Sequence, residues 1–142
     1  FASDGDYTLT LVGTTADGRS STHTQLVQVR TRDVAITKLS VPKSASVNQT
    51  QTVQVDIMNK LISENIQVSL YRGTTYGEEL IGNGTLYVPA KAKKVTSAKF
   101  SYTFTSADQA RGKVTFRAMV NPQNGRDAYL ADNTAIATTK VR

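Results

Sequence analysis

The sequence predicts an all-β chain: an antiparallel β-sandwich of about seven strands over residues 33–142, with an extra N-terminal β-hairpin in residues 1–32. Apolar residues recur at every second position along most of the chain, which sets them on one face of an extended strand. Turn-forming residues break these runs at roughly even spacing, the pattern of a sandwich. Sustained helical periodicity is absent.

Tyr7, Leu9 and Leu11 alternate with threonines and predict a half-buried strand. Asp17-Gly18 follows, a turn dipeptide in which glycine accepts positive φ. A second strand is expected from about Ser20 to Arg30, so that residues 7–30 read as a hairpin. Thr31-Arg32-Asp33 is a polar junction. Val34 and Ile36 alternate, the phase switches at Lys38-Leu39, and the run closes on Val41-Pro42. Proline donates no ladder hydrogen bond, so this strand is expected to lie at an edge or to end there. Ser44 to Thr50 reads as a polar turn. Val53, Val55 and Ile57 form the cleanest inward face, and Ile66, Val68 and Leu70 repeat it before Arg72-Gly73. Leu80 to Val88 contains Gly82-Asn83-Gly84, expected as a tight turn or a bulge. Phe100, Tyr102 and Phe104 share the next strand face. Ser106 to Gly112 predicts one short helical turn capped near Ser106 or Asp108. Val114, Phe116, Ala118 and Val120 make another buried face, and the last strand runs from about Thr134 to Val141.

At 142 residues and 39% hydrophobic content, the chain has material for one ordinary core. No apolar run approaches the ~18 residues of a membrane span, so no membrane insertion is expected. The chain opens on Phe1-Ala-Ser-Asp-Gly-Asp6 without a basic start or apolar block, and any export signal is expected upstream. Having no cysteine excludes disulfides, thiol nucleophiles and thiolate metal sites, and tilts the source toward a prokaryote. Lys and Arg number 17 against 11 Asp and Glu, a net charge of +6 that favours solubility and attracts anionic partners. The densest basic run, Lys91-Ala-Lys93-Lys94 with Lys99 nearby, lacks interleaved aromatics for base stacking. It fits a solvated strand edge, and no nucleic-acid partner is expected.

Catalytic chemistry is hard to assemble from these residues. His23 is the only histidine, and it falls mid-strand among threonines where solvent is expected. No phosphate-cradling glycine motif precedes a helix. Glu78 and Glu79 are adjacent and point to opposite strand faces, poor geometry for a glycosidase pair. The loop before the last strand is the one candidate metal site. There Asp127, Asp132 and Asn133, with Asn121 and Asn124, offer hard oxygens of the kind Ca²⁺ takes, although the same residue types also cap turns. No other cofactor is expected. Asn48-Gln-Thr50 and Asn83-Gly-Thr85 fit the N-glycosylation sequon. Tyr71, Tyr76, Tyr87, Tyr102 and Tyr129 are candidates for a sugar-binding face if several are exposed together; buried rings with solvated hydroxyls are the plainer alternative.

Residues 33–142 resemble a CARDB-type (cell-adhesion-related) immunoglobulin-like domain. The resemblance rests on Asp33-Val-Ala-Ile-Thr37 with Val41-Pro42, on Gln51-Thr-Val-Gln-Val-Asp-Ile-Met-Asn59, and on Val120-Asn-Pro122 leading to Asp132-Asn133-Thr134. The loop Gly125-Arg126-Asp127-Ala-Tyr129-Leu130 departs from it, with fewer acidic residues than the family often carries there. Gly5-Asp-Tyr7-Thr-Leu-Thr-Leu11, Ala16-Asp17-Gly18-Arg-Ser-Ser-Thr22 and Leu26-Val27-Gln-Val29 resemble the C-terminal hairpin of a PKD-type repeat, which implies a truncated module in residues 1–32. These resemblances imply an extracellular, non-catalytic structural or adhesion module of a prokaryotic cell-surface or filament-associated protein. It would act as a spacer or protein–protein interaction domain, meeting other surface or filament subunits through strand edges and loops, and polysaccharide is a further candidate partner. The alternative is a carbohydrate-binding accessory domain of a secreted hydrolase.

Overall fold

The computed structural model describes residues 3–91 and 93–142 and is an immunoglobulin-like β-sandwich with a separate hairpin. Strands β1 (Gly5–Thr14) and β2 (Ser20–Val29) pair antiparallel through ten residue pairs. The sandwich proper contains β3 (Val34–Ser40), β4 (Ser44–Ala45), β5 (Thr50–Asn59), β6 (Glu64–Thr74), β7 (Gly77–Val88), β8 (Thr96–Thr103), β9 (Lys113–Pro122) and β10 (Thr134–Val141). One sheet runs in the order β4-β10-β9-β6-β7 and the other in the order β3-β5-β8. A short helix α1 (Ser106–Arg111) carries the chain from one sheet to the other, and a 3₁₀ turn (Leu130–Asn133) precedes β10.

The period-two faces become the core. Val53, Val55 and Ile57 of β5 face Ile66, Val68 and Leu70 of β6 and Val114, Phe116 and Val120 of β9, all essentially inaccessible. Tyr102, Phe104 and Phe116 meet edge to face at centroid distances of 5.1, 5.3 and 6.3 Å, the arrangement favoured by aromatic quadrupoles. The phase switch after Ile36 is a β-bulge, where the pairing with β5 slips between Ile36 and Lys38. A second slip opposes Leu70/Tyr71 to Gly82/Leu80, so the bulge sits beside the Gly82-Asn83-Gly84 run and the strand continues through it. Gly82 lets the strand pass close to Phe100 there: an added Cβ would lie 3.2 Å from the ring, which would have to shift by a few tenths of an ångström.

Three expectations change. The polar turn 44–50 hides β4, which pairs in parallel with the end of β10. The helix cap is Thr105 rather than Ser106 or Asp108. Its hydroxyl accepts from the Asp108 N–H while the Asp108 carboxylate accepts from the Thr105 N–H, a reciprocal capping box. The third change is in the hairpin. Tyr7, Leu9 and Leu11 share one of its faces with Val27, yet Leu9 and Leu11 stand 49% and 71% exposed. The amphipathic pattern is present, but no sandwich strand packs on it to any extent.

Candidate functional site

The loop between β9 and β10 meets the polar junction at one end of the sandwich. The Arg32 N–H donates to the Arg126 carbonyl at 3.1 Å, and the Ala128 N–H donates to the Arg32 carbonyl at 2.7 Å. Asp127 is buried beside this bridge. Its Oδ2 accepts from the Val34 N–H and its Oδ1 from the Tyr129 N–H, both at 2.8 Å. Both carboxylate oxygens therefore hold the start of β3 against the loop. Arg32 also pairs with Glu64 at 2.9 Å, with both side chains largely withdrawn from solvent.

The hairpin is tied to the same place. Asp4 accepts from the Arg126 N–H at 2.5 Å and from the Thr31 N–H and hydroxyl at 3.3 and 3.1 Å. The Arg126 N–H, opposed by partial burial and assisted by Thr31, holds the Asp4 carboxyl below its ordinary range. Asp6 pairs with the Arg126 guanidinium at 2.8 Å. Short range and mixed donors make this a fixed joint rather than a loose linker.

The expected Ca²⁺ set falls at this end. Burial pushes the Asp132 carboxyl up, opposed by the Lys60 ammonium and reinforced by Asp127 and Asp33. Lys60 bonds both Asp33 oxygens, at 3.1 and 3.2 Å. These bonds raise its pKa against partial burial, with Asp33, Asp132 and Asp127 charges assisting. Asp132 Oδ1 and both polar atoms of the Asn133 side chain are buried without a hydrogen-bond partner. Asn121 and Asn124 are exposed. Within this set the Asp127 oxygens are taken by backbone N–H groups and the Lys60 ammonium stands near the carboxylates, which leaves Asp132 and Asn133 as the members with unpartnered oxygens. Among the described residues, no three His, Cys, Asp or Glu side chains are grouped to hold a metal ion.

A second polar cluster went unseen in the sequence. Asp108 on α1 is wholly buried, with Oδ2 accepting from the Tyr102 hydroxyl at 2.7 Å and from the Thr105 N–H and hydroxyl at 2.9 Å. Its Oδ1 pairs with Arg111 at 2.6 Å and Arg72 at 3.4 Å. Arg72 also donates to the Tyr102 hydroxyl at 2.6 Å and to Glu79 at 2.7 and 3.0 Å. Burial alone would raise the Asp108 carboxyl, but the Thr105 N–H, Tyr102, the Thr105 hydroxyl and Arg111 together bring it below its ordinary value. The Tyr102 phenol is pushed up to about 12, first by burial and then by its bond to Asp108. The cluster pins α1 to the ends of β6 and β8, one strand from each sheet.

The remaining candidates are dispersed. His23 is exposed on the hairpin. Glu78 pairs with Arg117 at 2.5 Å, and Glu79 with Arg72, so the two carboxylates serve different guanidinium groups. Tyr76 is fully exposed at the β6–β7 tip, and Tyr129 is 62% exposed on the junction loop. Tyr102 is in the core, and Tyr71 lies under the Arg117 guanidinium at 4.7 Å. The five tyrosines do not form one face. Asn48 and Asn83 are both exposed, and Asn48 adopts φ 64°. Lys91, Lys93 and Lys94 are exposed beside β8; Ala92 lies outside the described residues.

A CARDB domain from Pyrococcus furiosus shares this fold. Its crystal structure, solved with di-metal ions, gives a TM-score of 0.63 at 20% identity over 78% of this chain and 89% of that one. The solution structure of the same domain gives 0.61 at 20% identity over 80% and 97%. Likeness at that identity shows the fold alone. A β-glucosidase from Listeria innocua reaches a TM-score of 0.48 at 13% identity, with 16% of its chain covered, too weak a likeness to bear on function. No family model matches the sequence, and no curated protein matches it.

Proposed function

We propose that this chain is a non-catalytic structural or adhesion module of a prokaryotic cell-surface or filament-associated protein, working outside the cell as a spacer or protein–protein interaction domain. The hairpin carries this reading. It presents Leu9, Leu11, Val12 and Leu26 to solvent on a ladder of ten residue pairs. An isolated two-stranded hairpin is marginal in water, and such a surface is stable when covered. Apart from Asp6 at its start, which pairs with Arg126, the hairpin carries no Lys, Arg, Asp, Glu or Pro in β1 or β2. Every longer edge of the sandwich is guarded: β3 by its bulge, β7 by Glu78, Glu79 and glycines, β8 by Lys99. Unguarded edges accept further strands. In this reading the hairpin is the closing pair of a preceding PKD-type module or adds to a neighbouring subunit's sheet, and the joint at Asp4, Arg32 and Arg126 sets its direction.

Amide hydrogen exchange tests the reading. The outward-pointing amides of β1 and β2 exchange freely in this chain alone and become protected in the parent surface protein. Equal exchange in the two settings would leave the hairpin without a partner and remove the proposal.

A second reading, a carbohydrate-binding accessory domain of a secreted hydrolase, draws on a different observation: an amide-rich patch of uncharged side chains at one end of the larger sheet's outer face, away from the Arg117–Glu78 pair.

A further inference from the structure

Cross-strand register places six exposed side chains in two rows on the outer face of the five-stranded sheet. Gln67 of β6 is opposed by Thr85 of β7 on one side and by Asn121 of β9 on the other. One step along, Asn65 is opposed by Tyr87, and the Gln123 N–H donates to the Asn65 carbonyl. All six are exposed, Tyr87 by 60%. None is ionisable near neutral pH, although the chain carries a net charge of +6. Gln123 Nε2 donates to the Thr85 hydroxyl at 3.2 Å. The side chains of Asn65, Gln67, Tyr87 and Asn121 make no hydrogen bond to any described residue.

We infer that this face is a binding site for an extended, uncharged polysaccharide chain. The inference rests on the accessory-domain reading and deepens it by naming the surface and the ligand class. Primary amides offer a donor and an acceptor side by side, which matches pairs of neighbouring sugar hydroxyls. Tyr87 adds a flat ring for the C–H face of a pyranose and a hydroxyl at its rim. Adjacent strands place such groups ~4.8 Å apart and alternate residues ~7 Å apart along a strand, a grid on the scale of successive sugar units. Small ligands favour concave sites that bury most of their surface, whereas a flat sheet face suits a long chain touching several positions. The six residues themselves offer no cation to phosphate, sulfate or uronate; Arg30 and Arg126 line the hollow beside Asn121 at the end of the row, so an anionic probe is the control that can overturn the class.

Affinity electrophoresis and calorimetry with soluble β-glucan, galactomannan and dextran, against polygalacturonate as an anionic probe, test the site. The full chain binds a neutral polysaccharide with little sensitivity to salt. Tyr87→Ala and Gln67→Ala each weaken that binding roughly three- to tenfold or more, while melting temperatures stay unchanged because both side chains are exposed. Tyr76→Ala, at the remote β6–β7 tip, leaves binding as it was. Neutral-glycan binding that survives both face substitutions would overturn this site while leaving the accessory reading in place. Preference for polygalacturonate, abolished by salt, would overturn the inference in favour of the basic surface. Binding to none of the neutral probes would sink both.

Discussion

Asp108→Ala lowers the stability of the sandwich by about 3–5 kcal/mol, the range seen when one partner of a buried charge cluster is removed. The substitution takes the acceptor from Tyr102, from the Thr105 N–H and hydroxyl, and from Arg111 and Arg72. It also removes the capping box that starts α1. Thermal unfolding monitored by circular dichroism reads the effect as a fall of roughly 10 °C or more. The same cluster makes stability depend on pH at both ends. Asp108 has a depressed value in the fold, so its contribution is present above the unfolded carboxylate value of ~3.9 and is lost as pH falls through the folded value. Tyr102 is raised to about 12. Its contribution is full below the unfolded value of ~10 and is lost as pH rises toward the folded one. Tyr102→Phe therefore flattens the alkaline limb while leaving the acid limb to Asp108.

Asp127→Ala costs about 2–4 kcal/mol, because two backbone N–H groups lose a charged acceptor inside the protein. Val34 is inaccessible to solvent, so its N–H gains no water in exchange. Asp127→Asn retains one strong acceptor and falls between the alanine variant and the native chain. The readout extends beyond melting temperature: amides of residues 31–34 and 126–129 gain exchange in the variant, since the bridge between Arg32 and Asp127 joins those segments. A variant with a normal melting temperature would mean that the loop and β3 hold each other without the carboxylate.

Local pattern explains how much of this molecule was legible. Alternation marked the inward faces of β5, β6, β8 and β9, because a two-sided strand writes its burial directly into sequence, whereas β10 buries Thr139 and Val141 and turns Ile136 outward. Even the bulge in β3 was visible, as the slip from Ile36 to Leu39. The capping residue was missed by one position: Asp108 sits at the third helical residue, answering Thr105 across the first turn. Its burial was not legible at all. The arginine that completes its cluster, Arg72, lies 36 residues away and meets it only after β6 and β8 are assembled. Asp127 was picked out as an oxygen donor, but its acceptor role is toward Val34, 93 residues distant in sequence. Long-range partners of this kind leave no local trace. The hairpin presents the opposite case: its amphipathic pattern predicts burial that the described residues do not supply, and in the reading proposed above a partner would supply it.

The proposed division of labour, a self-sufficient sandwich with a hairpin held out for a partner, is tested most directly by thermal unfolding of residues 31–142 beside the whole chain. Starting at Thr31 keeps Arg32, so that Glu64 retains its partner. The account predicts a single cooperative transition within about 5 °C of the whole chain. A much larger fall, or loss of cooperativity, would place the hairpin within the sandwich's own core and contradict it.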